Sequence, residues 1–293
     1  MRNKLLTTAI DSATACVLAG VLGFALVGVV STPEPSEAAS TMQQIEITAS
    51  NGKLQTTAGQ VRPGWTKVTL INTDTDSHQA ALIRLPKSVS AANFLTQFAT
   101  EGEKALVTTV ASGGPAVAFP KGSSSVFVKL EAGTYIAADM VPGPDGKPKA
   151  TKGFVTSFEV TSGLGGASAT RPRADSTVKL HDFFFAGKLK LKQGSTVAIY
   201  NDGAQPHEMV MFGLAPGKTA KDVAEFLLNP APTGPPPFVS ALGISGIAPK
   251  ATGYLTVEAP VGKYAFVCFL PDVRGKGEPH VLKGMMGEGE VTA

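Results

Sequence analysis

Four side chains in the last third of the chain share a chemistry. His207, Cys268, His280 and Met285 offer two imidazoles, one thiol and one thioether. Thiolate and thioether are soft donors that hold Cu(I), and imidazole also suits Cu(II). One Cys with two His and a weak axial Met is the donor set of a mononuclear, one-electron copper site. Each residue alone also has a plainer reading. Cys268, flanked by Phe266, Val267 and Phe269, reads as a small buried hydrophobe, and Met285 reads as core filler, with Met286 a rival axial residue.

An internal repeat separates these readings. A shift of 129 residues lays Asn72 and His78 on Asn201 and His207, Pro120-Lys121 on Pro249-Lys250, and Gly133-Thr-Tyr135 on Gly262-Lys-Tyr264. Beyond that point the register slips by two residues, so that Pro148-Lys149 and Phe154 match Pro279-His280 and Met285. Where the second copy has Cys268, His280 and Met285, the first has Asp139, Lys149 and Phe154. Scaffold residues persist while the donors change together. His78 therefore reads as a satisfied histidine on the surface or in a turn, and Asp139 with Lys149 as an ion pair replacing a metal. His181 reads as structural at a strand start, and Met209 and Met211 as core on the face of His207.

The elements that must position the donors are short. Lys67–Ile71, Ser125–Leu130, Thr196–Tyr200, Tyr254–Val257 and Tyr264–Phe269 are strand-like runs between turn residues, in a chain with 32 Gly and 21 Pro. Alternation along Tyr264-x-Phe266-x-Cys268 puts the thiol at the end of a core-facing row. Each copy carries one helical interruption, at Ala91, Phe94, Leu95 and Phe98, and at Val223, Phe226 and Leu227 behind a Thr219-x-x-Asp222 capping box. Asn229–Pro237, with five prolines, reads as an extended surface loop.

The order of an early His after an Asn-bearing strand, then Tyr-x-Phe-x-Cys, then a His and a Met resembles the cupredoxin, or blue copper, family. That resemblance implies an all-β fold of two tandem Greek-key β-sandwich domains, each with a short inserted helix. Residues 41–162 would be a degenerate cupredoxin-like domain, 163–176 a flexible linker and 177–293 the copper-binding domain. It assigns His207, Cys268, His280 and Met285 as ligands of one mononuclear copper. Two features depart from the family pattern. Eleven residues separate Cys268 from His280, and Glu208 follows the first His where Asn is usual.

Composition narrows the function. Arg2 and Lys4 precede an apolar run from Ala13 to Val30 and a small-residue exit at Ser36-Glu37-Ala38, so residues 1–40 read as a secretory signal or, uncleaved, as an N-terminal membrane anchor. After export Cys268 is the lone thiol, and no internal disulfide can form. A net charge of +3 without a basic stripe excludes nucleic acid as a partner. Four histidines cannot furnish a trinuclear copper cluster besides this site, so the chain reads as no enzyme. The expected function is a periplasmic or extracellular carrier of single electrons, with a redox partner protein still to be identified. The alternatives are a copper carrier or store without redox turnover, and a metal-free cell-surface β-sandwich binding module.

Overall fold

Alternation sets the strands. The computed structural model describes residues 42–163 and 170–293, so the signal or anchor at 1–40 and the middle of the expected linker lie outside the described residues. Along β3 (Gly64–Asn72), Gly64, Thr66, Val68, Leu70 and Asn72 are buried and the residues between them are not. No helix among the described residues is long and apolar enough to cross a membrane.

The first half contains β1 (Gln43–Ser50), β2 (Lys53–Thr56), β3, β4 (Ala81–Arg84), β5 (Val110–Ala111), β6 (Ser123–Leu130), β7 (Gly133–Ala138) and β8 (Val155–Val160). They form two layers, ordered β2-β1-β3-β6 and β5-β4-β7-β8. The second half contains β9 (Ser176–His181), β10 (Phe184–Ala186), β11 (Lys190–Lys192), β12 (Thr196–Asn201), β13 (His207–Leu214), β14 (Phe238–Ile247), β15 (Thr252–Thr256), β16 (Gly262–Val267) and β17 (Met286–Thr292). Its layers run β10-β9-β12-β15 and β14-β13-β16-β17-β11. Strand for strand the order repeats, down to the parallel pairs β1–β3 and β9–β12. Even β11, which pairs in parallel with β17, has a counterpart in the single parallel bridge of Val61 to Val160.

Both expected helices form, each outside the second layer of its half. In α1 (Ala91–Glu101) the Ser90 hydroxyl caps Asn93 N–H, while Phe94 and Phe98 pack on Ile83 and Ile136. In α2 (Ala220–Leu228) the Thr219/Asp222 capping box is complete, and Val223 and Ala224 pack on Val210, Phe212 and Val267. These contacts fix the outer face of the sheet whose inner face carries the candidate donors.

The two sandwiches share one core. β6 pairs with β15 through Val126–Leu255, Phe127–Tyr254 and Val128–Gly253, joining the first layers into one eight-stranded sheet. In the second layer, residues 111–116 lie between β4 and β14. Leu82 N–H donates to Gly113 O, and Gly113 N–H donates in turn to Gly246 O, both at 2.8 Å. One apolar cluster consequently contains Val68, Val126 and Tyr135 together with Ile199, Leu255 and Phe266. The physical reason is edge protection. Four unpaired sheet edges would face solvent if the halves stood apart, and joining them satisfies the backbone groups. The expected linker is also tied down where it is described: Arg171 hydrogen-bonds the Tyr254 hydroxyl and lies over its ring, and Asp175 N–H donates to Thr196 O.

The junction is tight at Gly114, whose φ is +108° and where an added Cβ would lie 2.1 Å from Ala80 O. Gly114→Ala should therefore destabilise the whole chain by roughly 2–3 kcal/mol, through positive-φ strain and backbone overlap. Denaturant titration measures this; a loss under about 0.5 kcal/mol would show that the junction yields freely.

Candidate metal centre

Three of the four candidate donors meet at one end of the second half. His207 opens β13, and Cys268 immediately follows β16, its antiparallel neighbour. The alternation expected of β16 is observed: Tyr264, Phe266 and Cys268 face the main core, while Ala265 and Val267 face α2. His280 begins a single 3-10 turn after the long loop. The donor atoms of His207, Cys268 and His280 all lie within 4.8 Å of one another. His207 Nδ1 is 3.1 Å from His280 Nδ1, and Cys268 Sγ is 3.4 Å from His280 Nδ1. All three side chains are fully buried.

The eleven-residue separation does not carry His280 away, because the loop closes on itself. Pro271 bridges Pro279, Asp272 N–H donates to Glu278 O at 2.9 Å, and His280 N–H donates to Leu270 O at 2.8 Å. Asp272 then pairs with Lys283, and Gln205 accepts Val273 N–H at 3.0 Å, tying the loop to the residues before His207. In the first half Pro142 bridges Pro148 in the same way. The two extra residues in the repeat register fall inside this closed excursion, where they leave the scaffold undisturbed.

Asn201 builds the other approach. Its side-chain amide donates to Gln205 O and Ile247 O, and its Oδ1 accepts Gly203 N–H, shaping the turn that delivers His207. Glu208, the departure from the family's Asn, is buried and links the segment of His207 to that of Cys268. Its carboxylate accepts Phe269 N–H at 2.9 Å, and its own N–H points at Cys268 Sγ at 3.5 Å. Met285 is fully buried in the same core cluster, whereas Met286 is 38% exposed at the start of β17. Met209 and Met211 are buried core residues.

Sequence reading missed Asp182, in the β9–β10 turn. His207 Nε2–H donates to its Oδ1 at 2.8 Å, and Ala204 N–H donates to the same oxygen at 3.0 Å. Partial burial pushes that carboxyl up, but the two donors outweigh it and hold it below the usual carboxylate range. Burial lowers the His207 imidazole despite Asp182. Burial and the neighbouring His207 bring His280 down to about 4. Burial, followed by the Glu208 carboxylate, pushes the Cys268 thiol well up. At neutral pH both imidazoles are thus uncharged, and with its proton on Nε2 His207 turns the Nδ1 lone pair towards His280 and the thiol.

The first half fills the equivalent space with charge. His78 Nδ1 and Asp139 Oδ2 are 2.6 Å apart, and the His78 ring stacks on Phe154 at 5.0 Å. His78 is buried, which corrects the surface alternative. Asp139 pairs with His78 and not with Lys149, whose ammonium goes to Ser77 O at 2.9 Å and to Asp76 at 3.5 Å. The reason is position: Asp139 takes the place of the thiol, directly facing the first imidazole. His181 closes β9 instead of starting it and stacks on Phe184 at 4.7 Å. It joins no donor group.

Since folded His280 titrates near about 4 and the free imidazole near 6.5, acid favours the unfolded chain, and stability is lost as pH falls through that window. The denaturation midpoint of the metal-free chain should fall between those values, and His280→Gln should flatten part of the fall. Identical pH profiles for the two proteins would contradict a neutral, buried His280.

No family model and no curated protein matches the chain. Among solved structures, similarity is found to an auracyanin from Roseiflexus castenholzii, 19% identical over 40% of this chain and 96% of that one, with a TM-score of 0.25. Auracyanin A from Chloroflexus aurantiacus, a blue copper protein, is 19% identical over 40% of this chain and 98% of its own, at a TM-score of 0.29. A copper-containing nitrite reductase from Thermus scotoductus is 14% identical and covers 86% of this chain and 68% of its own, at 0.24. Likeness at these scores adds nothing to the geometry. By its strand order the chain is a two-layer β-sandwich repeated in each half, with a His, a Cys and a His gathered at one end of the second.

Proposed function

We propose that this is an exported electron-transfer protein in which His207, Cys268 and His280 would hold one copper ion, with Met285 as a fourth, thioether donor. The observation that carries the reading is the convergence of two imidazole Nδ1 atoms and one thiol within a fully buried group. Buried polar atoms that face each other are costly unless something satisfies them together. A soft-plus-imidazole donor set fits a copper ion. Bound copper would supply a one-electron couple between Cu(I) and Cu(II).

The chain's own residues support that use. The closed 271–279 excursion and the Glu208–Phe269 hydrogen bond hold the donor segments in place, which keeps rearrangement small between oxidation states. The Glu208 amide beside Cys268 Sγ offers a hydrogen bond to a thiolate, one of the features that tunes such sites. Burial keeps water from the donors. The first half, with its position filled by His78, Asp139 and Lys149, serves as scaffold or docking surface. Among the described residues one such His-Cys-His group is found, which suits a single copper ion.

Copper-loaded protein should absorb strongly in the visible through thiolate-to-Cu(II) charge transfer and bleach reversibly with mild reductant. Cys268→Ser should abolish the band, because a hydroxyl cannot replace a soft thiolate. His78→Gln should leave it intact. Tight, colourless Cu(I) binding without the band would favour a copper carrier, and failure to bind copper would leave a metal-free module.

In the same spectra Met285 and Met286 are separable. Replacing buried Met285 should shift the band or the reduction potential, and replacing Met286 should change neither. The reverse outcome would reassign the axial residue.

A further inference from the structure

The turn between β9 and β10 breaks the chemistry of its own hairpin. In the first half the equivalent turn is Asn51-Gly52, with φ of +50° and +76°, the pair that a two-residue hairpin favours. In the second half Asp182-Phe183 occupies the same register, between His181 and Phe184. Phe183 sits at φ +74°, where a bulky side chain is a genuine outlier and glycine is the ordinary choice. Strain of this kind persists where surrounding contacts over-determine it.

Those contacts run to both imidazoles. Asp182 Oδ1 accepts His207 Nε2–H at 2.8 Å. The Phe183 ring meets the His280 ring edge to face at 5.1 Å, and the Lys283 ammonium lies 4.9 Å from the centre of the same Phe183 ring. Gly203 makes the approach possible, because a Cβ there would lie 2.5 Å from Asp182 Oδ1 and 2.6 Å from His207 Nε2. The first half has Asp74 in the place of Gly203, with its carboxylate 3.5 Å from His78 Nε2. The change from Asp74 to Gly203 and the change from Asn51-Gly52 to Asp182-Phe183 therefore go together. One opens the space that the other fills.

We infer that the Asp182-Phe183 turn is a positioning clamp for the two imidazoles: Asp182 fixes the His207 proton on Nε2, leaving Nδ1 to bind metal, and Phe183 holds the His280 ring against it. This rests on the copper reading for its purpose but not for its geometry. A carboxylate behind a ligating imidazole fixes the tautomer and raises the basicity of the bound nitrogen. Asp182 touches no metal in this scheme; it acts through His207.

The test reads tautomers in the metal-free protein by nitrogen-15 NMR, beside titration with copper alone. In the wild type His207 should carry its proton on Nε2. Asp182→Asn keeps a neutral acceptor and should retain that tautomer, while Asp182→Ala should shift it towards Nδ1. Copper affinity should fall roughly tenfold to hundredfold in Asp182→Ala and less in Asp182→Asn. A wild-type His207 protonated on Nδ1 overturns the clamp without any variant. So does an Asp182→Ala protein whose His207 tautomer and copper affinity are both unchanged. If the tautomers behave as expected and no form binds copper, the clamp stands and the copper reading falls.

Discussion

Two imidazole nitrogens and a thiol facing one another in a dry core is the constraint on which the rest of this structure turns. Leaving such groups buried without full hydrogen bonding costs about 1–3 kcal/mol each. They must therefore be held in place by elements whose own stability comes from elsewhere. β13 and β16 supply that support: their inner faces carry His207 and Cys268 into the main core, and their outer faces are clamped by α2. His280 is not on a strand but at the start of the 3-10 turn that follows the long loop. It is returned at the neck of the 271–279 excursion by backbone hydrogen bonds from its own N–H to Leu270 O and from Val281 N–H to Cys268 O. His280 Nε2 has no hydrogen-bond partner among the described residues, so its position depends on that neck and on the Phe183 ring.

The internal repeat shows what the same scaffold does without the donors. Asp139 replaces the thiol and pairs with His78, Lys149 replaces the second imidazole and turns to Ser77 and Asp76, and Phe154 replaces Met285 and stacks on His78. His78 and Asp139 satisfy each other by a hydrogen bond, and removing one partner would strand the other. That arrangement preserves the shape of the loops with ordinary side chains. The two halves then share their sheet edges, so the scaffold of the first half also supports the strands of the second.

What the sequence made legible follows from which interactions are local. Alternation along Tyr264–Cys268, the Thr219/Asp222 box and the turn that Asn201 makes with Gln205, as Asn72 does with Asp76, each depend on neighbours in the chain, and each is found in place. The joined cores were not legible, because β6 and β15 read as strand-like runs whether their edges meet solvent or each other. Asp182 escaped because its contact to His207 crosses 25 residues of chain through a hairpin, with no spacing rule to connect them. A signal was nevertheless present. Asp182-Phe183 is poor turn chemistry exactly where the repeat offers Asn51-Gly52, and such a violation marks a residue retained for another reason.

The most direct test of the central claim, that a preformed thiol and two imidazoles hold copper, is X-ray absorption on the copper-loaded protein. The account predicts one sulfur scatterer at short range and two imidazole rings about each copper, with the sulfur lost in Cys268→Ser. Copper surrounded only by oxygen and nitrogen in the wild-type protein would contradict it.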